Sequence, residues 1–289
     1  ANGYDVTFLP NHLAGEKFPF SLEELKEYER KSYGMENIHK MLLVAMDRLD
    51  KICKKNNIKY SLHGGCLLGA ERNHKLIPWD DDIDISVTRK EYDKLIPILK
   101  KEHGKFYFDD TTTWVPRFAY SNEKEGVFIS IFVWDYISEN LLEQKLKLLL
   151  LRVLQGMLKR NIDYGSYSSK NKVLIFGTHI MGLLFPYQLK KKWQNDVGKY
   201  WFQGRQKYIH RSNDAYKGVG FIFKEDYMGS YSEIELEGRM YMVTSRYKEF
   251  LKMNYGPDYM TPPPIEQRKP EHFLSREQVK RRRKAGGFC

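Results

Sequence analysis

Residues 63–87 read HGGCLLGAERNHKLIPWDDDIDISV, and this window limits the fold more than any other part of the chain. It opens on the pair Gly64-Gly65, passes through a small-residue turn, and ends in four aspartates, Asp80, Asp81, Asp82 and Asp84. The alternation from Asp82 to Val87 predicts a short strand. Strand residues two apart share a face, so Asp82 and Asp84 project together and Asp81 points the other way, as a structural residue. Two carboxylates side by side repel each other unless a cation lies between them. Oxygen ligands of this kind suit Mg²⁺, held by one or two carboxylates plus substrate phosphates, and also Mn²⁺. Glycines at 64 and 65 would let backbone approach such a phosphate closely. Clustered aspartates usually form a solvated loop. Here the cluster follows Ile77-Pro78-Trp79 and runs into apolar alternation, which a solvated loop would not need.

The run Gly64-Gly65-x-Leu67-Leu68-Gly69-Ala70-x-Arg72, followed by Ile77-Pro78-Trp79-Asp80-Asp81-Asp82-Ile83-Asp84, resembles the LicD family of phosphocholine transferases. A second stretch similar to that family is Asn254-Tyr255-Gly256-Pro257-Asp258-Tyr259-Met260, with Pro262-Pro263-Pro264, Arg268 and His272 beyond; Pro257 is an insertion relative to the family pattern. The resemblance covers Met35–Tyr136 well, Phe223–His272 moderately, and the middle poorly. It implies an α+β fold, a nucleotidyltransferase-like mixed-sheet core with flanking helices and an inserted helical region. One departure stands out. Where the family has Ile-Asp-Ile-Phe-Pro-Leu-Asp, this chain has Ile129-Ser130-Ile131-Phe132-Val133-Trp134-Asp135, so a serine replaces the first carboxylate. Ser130 is either a ligand through its hydroxyl or a water, or a passive strand residue.

Elsewhere the pattern gives an irregular arm and helix over 1–34 and a catalytic core over 35–138. A helical insertion follows over 139–222, then a C-terminal segment over 223–289 ending in the basic run Lys280–Lys284. Ile38, Met41, Leu42, Ala45, Leu49, Ile52 and Cys53 recur at helical spacing and predict a long helix from Met35 to Asn56. Lys59–Leu62 predicts a strand entering a Gly-Gly turn. Helix 91–101 and strands 106–108, 118–120 and 127–133 follow. Leu141–Arg160 and Val173–Leu189 are strongly apolar. The first carries too many charges, and the second is too short and interrupted, for a membrane span. They are core helices, or they lie at a membrane surface with Lys and Arg toward anionic head groups.

The chain has 289 residues and a net charge of +11, which suits a polyanionic substrate, a membrane or nucleic acid without choosing among them. No nucleic-acid module is recognisable. Three cysteines point to a reducing compartment rather than a disulfide framework, and the spacing of Cys53, His63, Cys66 and His74 matches no structural zinc pattern. The start of the sequence lacks a secretory signal pattern. The expected location is therefore cytoplasmic, with peripheral attachment at the inner face of the plasma membrane as the variant.

The expected function is phosphocholine transfer from CDP-choline to a sugar hydroxyl of a teichoic acid or other cell-surface glycan, with release of CMP. Donor and acceptor are implied by the resemblance. Asp82 and Asp84 are the expected Mg²⁺ ligands, and Asp80 a further ligand or the base. Gly64 and Gly65 would hold phosphates. Arg72 either clamps one or pairs with Glu71. Trp79, Trp114 and Trp134 are candidates to enclose the quaternary ammonium. Arg268 and His272 either fold back over the site or belong to a Pro-rich tail that merely packs. Alternatives are another nucleotidyl- or phosphosugar transferase, or an inactive relative that binds glycan or nucleotide.

Overall fold

In the computed structural model the described residues are 35–111, 114–122, 126–159, 169–264 and 268. The expected long helix is α1, Glu36–Lys55, and its predicted stripe is buried, with Leu42, Ala45, Leu49 and Cys53 at 0% exposure. Lys54 and Lys55 occupy its last turn, where cations complement the helix dipole. The Ile58 N–H returns to the Cys53 carbonyl at 2.9 Å, and the chain leaves the helix through Asn57 at φ 51.

Next come β1 (Ser61–His63), α2 (Gly64–Asn73), β2 (Ile83–Thr88), α3 (Arg89–Leu99), β3 (Phe106–Asp109), β4 (Arg117–Ser121) and β5 (Gly126–Ile137). The glycine pair is thus not a loop but the first turn of α2. The strands form one mixed sheet in the order β1-β2-β5-β4-β3, in which β2 and β5 run parallel and the other neighbours antiparallel. The long β5 is the spine. Its first residues pair with β4, its middle with β2, and its last with β6, Tyr208–Arg211. β7, Ile222–Lys224, adds to β6, so residues assigned to the helical insertion complete the sheet. Helix α1 packs across β4 and β5.

Between β5 and β6 lie α4 (Leu141–Leu158), α5 (Ser169–Leu183) and α6 (Tyr187–Tyr200). The apolar run 173–189 is therefore two helices, broken before Pro186. Their shared core is small: Leu151, Leu154, Met157 and Val197. The buried Lys147 ammonium tethers α4 to the sheet by donating to the carbonyls of Tyr136 at 2.6 Å and Gly198 at 2.8 Å. On α5 the stripe Val173, Phe176, Ile180 and Leu183 faces outward, 74, 55, 47 and 70% exposed. The opposite face of α5 packs on α4, where Thr178 meets Gly156 and Gly182 meets Met157.

The chain ends with a hairpin, β8 (Tyr231–Leu236) and β9 (Arg239–Thr244), and helix α7, Tyr247–Tyr255. Glu237 and Gly238 both have positive φ, as a two-residue hairpin turn requires. β9 lies beside β1, where Thr244 donates its N–H to the Ser61 hydroxyl at 3.1 Å. This arrangement sets α7 over the C-terminal end of β1.

Candidate active site

The sheet register assembles the site. His63 on β1 pairs with Asp84 on β2, Asp84 with Ser130 on β5, and Ser130 with Arg117 on β4. Four strands thus present one transverse row, and all four residues line a cavity of about 760 Å³. Asp80 and Asp82, just before β2, line the same cavity. Sequence alternation placed Asp82 and Asp84 together, and the structure does the same. Asp81 is buried and outside the wall, as alternation required. Its carboxylate nevertheless comes within 4.8 Å of ligand atoms of Asp80 and Asp82.

The electrostatics follow from this packing. Burial pushes the Asp84 carboxyl well above the usual carboxylate range, and the charges of Asp82 and Asp80 push it the same way. A hydrogen bond from the Ser130 hydroxyl opposes them. Ser130 thus contacts Asp84 from its paired position on β5. Among the described residues the acids whose ligand atoms lie close enough to share one ion are Asp80, Asp81 and Asp82; a divalent cation there would remove part of the repulsion that keeps Asp84 reluctant to ionise.

The glycines serve the carboxylates. A Cβ at Gly64 would collide with the Asp84 carboxylate, and one at Gly65 with that of Asp80. The predicted phosphate cradle is corrected to that extent, because the space beside the pair is filled by the acids. The start of α2 has no side-chain cap, and both glycines line the cavity. The Asp80 carbonyl is held by His39 Nε2 on α1 at 2.8 Å. Burial lowers the His39 pKa, so its ring is a neutral donor here.

Other expected residues are placed differently. Arg72 lines the cavity, but its guanidinium donates to the Tyr259 carbonyl at 2.9 Å and the Thr261 carbonyl at 2.9 Å. It pins the C-terminal segment over the site rather than standing ready for a phosphate. Glu71 binds Lys248 at 2.9 Å and accepts from the Tyr247 hydroxyl at 2.6 Å. Trp79 and Trp114 line the cavity; Trp134 does not, and is corrected to a core residue 2% exposed. The reason is cross-strand pairing. Arg211 on β6 is opposite Trp134, shares its face, and occupies the wall in its place, 5.6 Å above the ring. Arg268 does fold back, its guanidinium 5.6 Å from the Trp79 ring and its Nε donating to the Pro263 carbonyl at 2.7 Å. His272 lies outside the described residues. Asp135 alternates to the opposite face, where Arg89 grips it with two bonds of 2.7 and 2.6 Å.

The sequence reading missed the cations. Arg211 is 3% exposed, pairs with Asp214 at 2.9 Å and is ringed by Trp134, Phe221 and Phe250. It also donates to His63 Nε2. Burial and the neighbouring guanidinium hold His63 well below its usual pKa, so the ring is neutral and accepts. Arg117 lies 3.6 Å from the Phe128 ring centre and faces Asp82 and Asp84. Their signal was an arginine inside an otherwise apolar or aromatic strand, which costs too much without a partner or ligand.

With this geometry in place, comparison with known proteins gives a consistent result. The family model described as the LicD/FKTN/FKRP nucleotidyltransferase domain matches residues 57–147. The chain is also 28% identical over 261 residues to the lipopolysaccharide cholinephosphotransferase LicD of Haemophilus influenzae, covering 80% of this chain and 93% of that protein. Residues 57–147 thus carry a LicD-type nucleotidyltransferase domain. An uncharacterised protein of Rickettsia typhi is 30% identical over 113 residues, 36% of each chain. The LicD nucleotidyltransferase domain carries the whole carboxylate cluster with Ser130 and Arg117. Residues beyond it, Arg211 and the segment from Phe250 to Pro263, complete the cavity wall.

Proposed function

We propose that this protein moves phosphocholine from CDP-choline to a sugar hydroxyl of a cell-surface glycan, lipopolysaccharide or teichoic acid, releasing CMP. The observation that carries this reading is the convergence of Asp80, Asp82 and Asp84 on one cavity that also holds aromatic rings and three arginines. The name of the Haemophilus influenzae relative supplies the group transferred. The acceptor oxygen bonds to the choline phosphorus as the pyrophosphate P–O bond breaks; the acceptor proton is taken up and CMP leaves.

Asp82 and Asp84 would hold Mg²⁺, with Asp80 as third ligand or as the base for the acceptor proton. The ion, when bound, would neutralise phosphate oxygens as charge develops on the leaving CMP. Arg117 and Arg211 face the same space and would bind phosphate oxygens left outside the ion's reach. Ser130 orients Asp84. Trp114 is the aromatic face that the cavity offers to a trimethylammonium group, because the Arg268 guanidinium already lies over the Trp79 ring. The rings around Arg211 already enclose one cation and are not available for a second.

No helix of the described residues is long and apolar enough to cross a membrane. The outward apolar stripe of α5 instead favours peripheral contact with a membrane surface.

The test is CMP release from CDP-choline with a choline-free lipopolysaccharide or teichoic-acid acceptor, with Mg²⁺ present and then chelated. Release should require both acceptor and metal, and Asp82→Ala and Asp84→Ala should abolish it while circular dichroism is unchanged. Full activity in either variant, or in chelator, overturns the assignment.

A further inference from the structure

A second cavity, of about 270 Å³, lies on the other face of β5. Ser130 and Phe132 border the carboxylate cavity, whereas Val133 borders this one, as strand alternation requires. Trp114 lines both, so the two meet at the segment before β4.

The lining of this cavity is cationic. Lys100 and Lys192 stand exposed at its rim, and Lys191 is half-buried between them and the floor. Arg89 also contributes, but its charge is matched by Asp135. The one acid in the wall, Asp110, is 3.4 Å from Lys100 and binds Lys191 through its backbone carbonyl. Two lysine charges therefore remain without a matching carboxylate in the wall. At the floor, Gln194 is 4% exposed, and its Nε2 has no hydrogen-bond partner among the described residues. The buried Trp114 indole N–H likewise has none. Unmade bonds from buried donors are costly, about 1–3 kcal/mol each. Donors of both kinds, convergent on a space that also collects lysines, suit a tetrahedral oxyanion with several acceptor oxygens.

We propose that this second cavity is a phosphate-binding subsite, formed by Lys191, Lys192, Gln194 and Trp114, and that it takes a phosphate carried by the acceptor glycan. The second half of this statement rests on the transfer reaction proposed above; the first does not. An acceptor phosphate seated here would place the chain beside Trp114, at the edge of the carboxylate cavity. The subsite would thus select phosphorylated acceptors by a contact made away from the reacting atoms.

Calorimetric titration of the full chain with inorganic phosphate at low salt tests the subsite without any turnover. Lys191→Ala and Gln194→Leu should each weaken binding at least tenfold, and the surface variant Lys192→Ala, which carries no folding risk, several-fold. Asp84→Asn, in the other cavity, should leave binding as in the parent. No phosphate binding by the parent, or equal binding by parent, Lys191→Ala and Lys192→Ala, overturns the subsite. Free phosphate and acceptor phosphate are separated by turnover. Lys192→Ala should raise KM for a phosphorylated acceptor several-fold, with kcat and the KM of its dephosphorylated form unchanged. An equal KM for both acceptors in the parent overturns the acceptor assignment, while the binding result still stands on its own.

Discussion

Gly64 and Gly65 offer a way to separate backbone strain from the crowding of the carboxylates. Alanine at either position drives a methyl group into an aspartate, Asp84 for Gly64→Ala and Asp80 for Gly65→Ala. Overpacking of this kind costs about 1–3 kcal/mol. Only Gly64 has a positive φ, at +60°, and an L-residue there adds about 1–2 kcal/mol. Gly64→Ala should therefore be the less stable variant by that increment. In a protein of this size the difference corresponds to roughly 2–8 °C in melting temperature. Both variants displace a carboxylate from the cluster, and both should lose at least tenfold in acceptor-dependent CMP release. Thermal melts by circular dichroism, read beside the release assay, give the two quantities separately. Equal melting temperatures would refute the backbone argument. A Gly65→Ala variant with parental activity would refute the view that the glycines exist to seat the acids.

Arg211→Met should destabilise the protein by about 3–5 kcal/mol in urea unfolding, because Asp214 keeps its burial and loses its cation; adding Asp214→Asn should restore most of that loss without restoring CMP release. Phe176→Glu with Leu183→Glu on α5 should leave the melting temperature within a few degrees, since both side chains are exposed, yet reduce co-sedimentation with anionic phosphatidylglycerol vesicles several-fold; unchanged co-sedimentation would remove α5 from any membrane contact.

Some of this could be read from residue order alone. Period-two alternation fixed the shared face of Asp82 and Asp84 and the opposite face of Asp81. Helical spacing fixed the buried stripe of α1, because burial of those side chains is a local consequence of 3.6-residue geometry. The resemblance supplied the family. Where the sequence reading failed, the deciding contact came from distant chain. Trp134 has the right parity to face the site, but its partner across the β5–β6 pairing is an arginine that takes the wall. Arg72 could clamp a phosphate or pair with Glu71 on sequence grounds, and only the fold brings the carbonyls of Tyr259 and Thr261 to it. The apolar run 173–189 gave no direction, since hydrophobicity measures only a tendency to leave water; whether Phe176 finds a core or a surface depends on what α4 and α6 leave uncovered.

The division has a simple physical basis. The sequence by itself determined which residues alternate, which could bear a metal, and which domain family residues 57–147 resemble, because these depend on neighbours along the chain. Tertiary structure alone decided that Asp84, Ser130 and Arg117 form one row, that Arg211 and Asp214 join them, and that a second, cationic cavity opens behind β5. Those facts depend on strand register and on which long-range partner satisfies each buried charge.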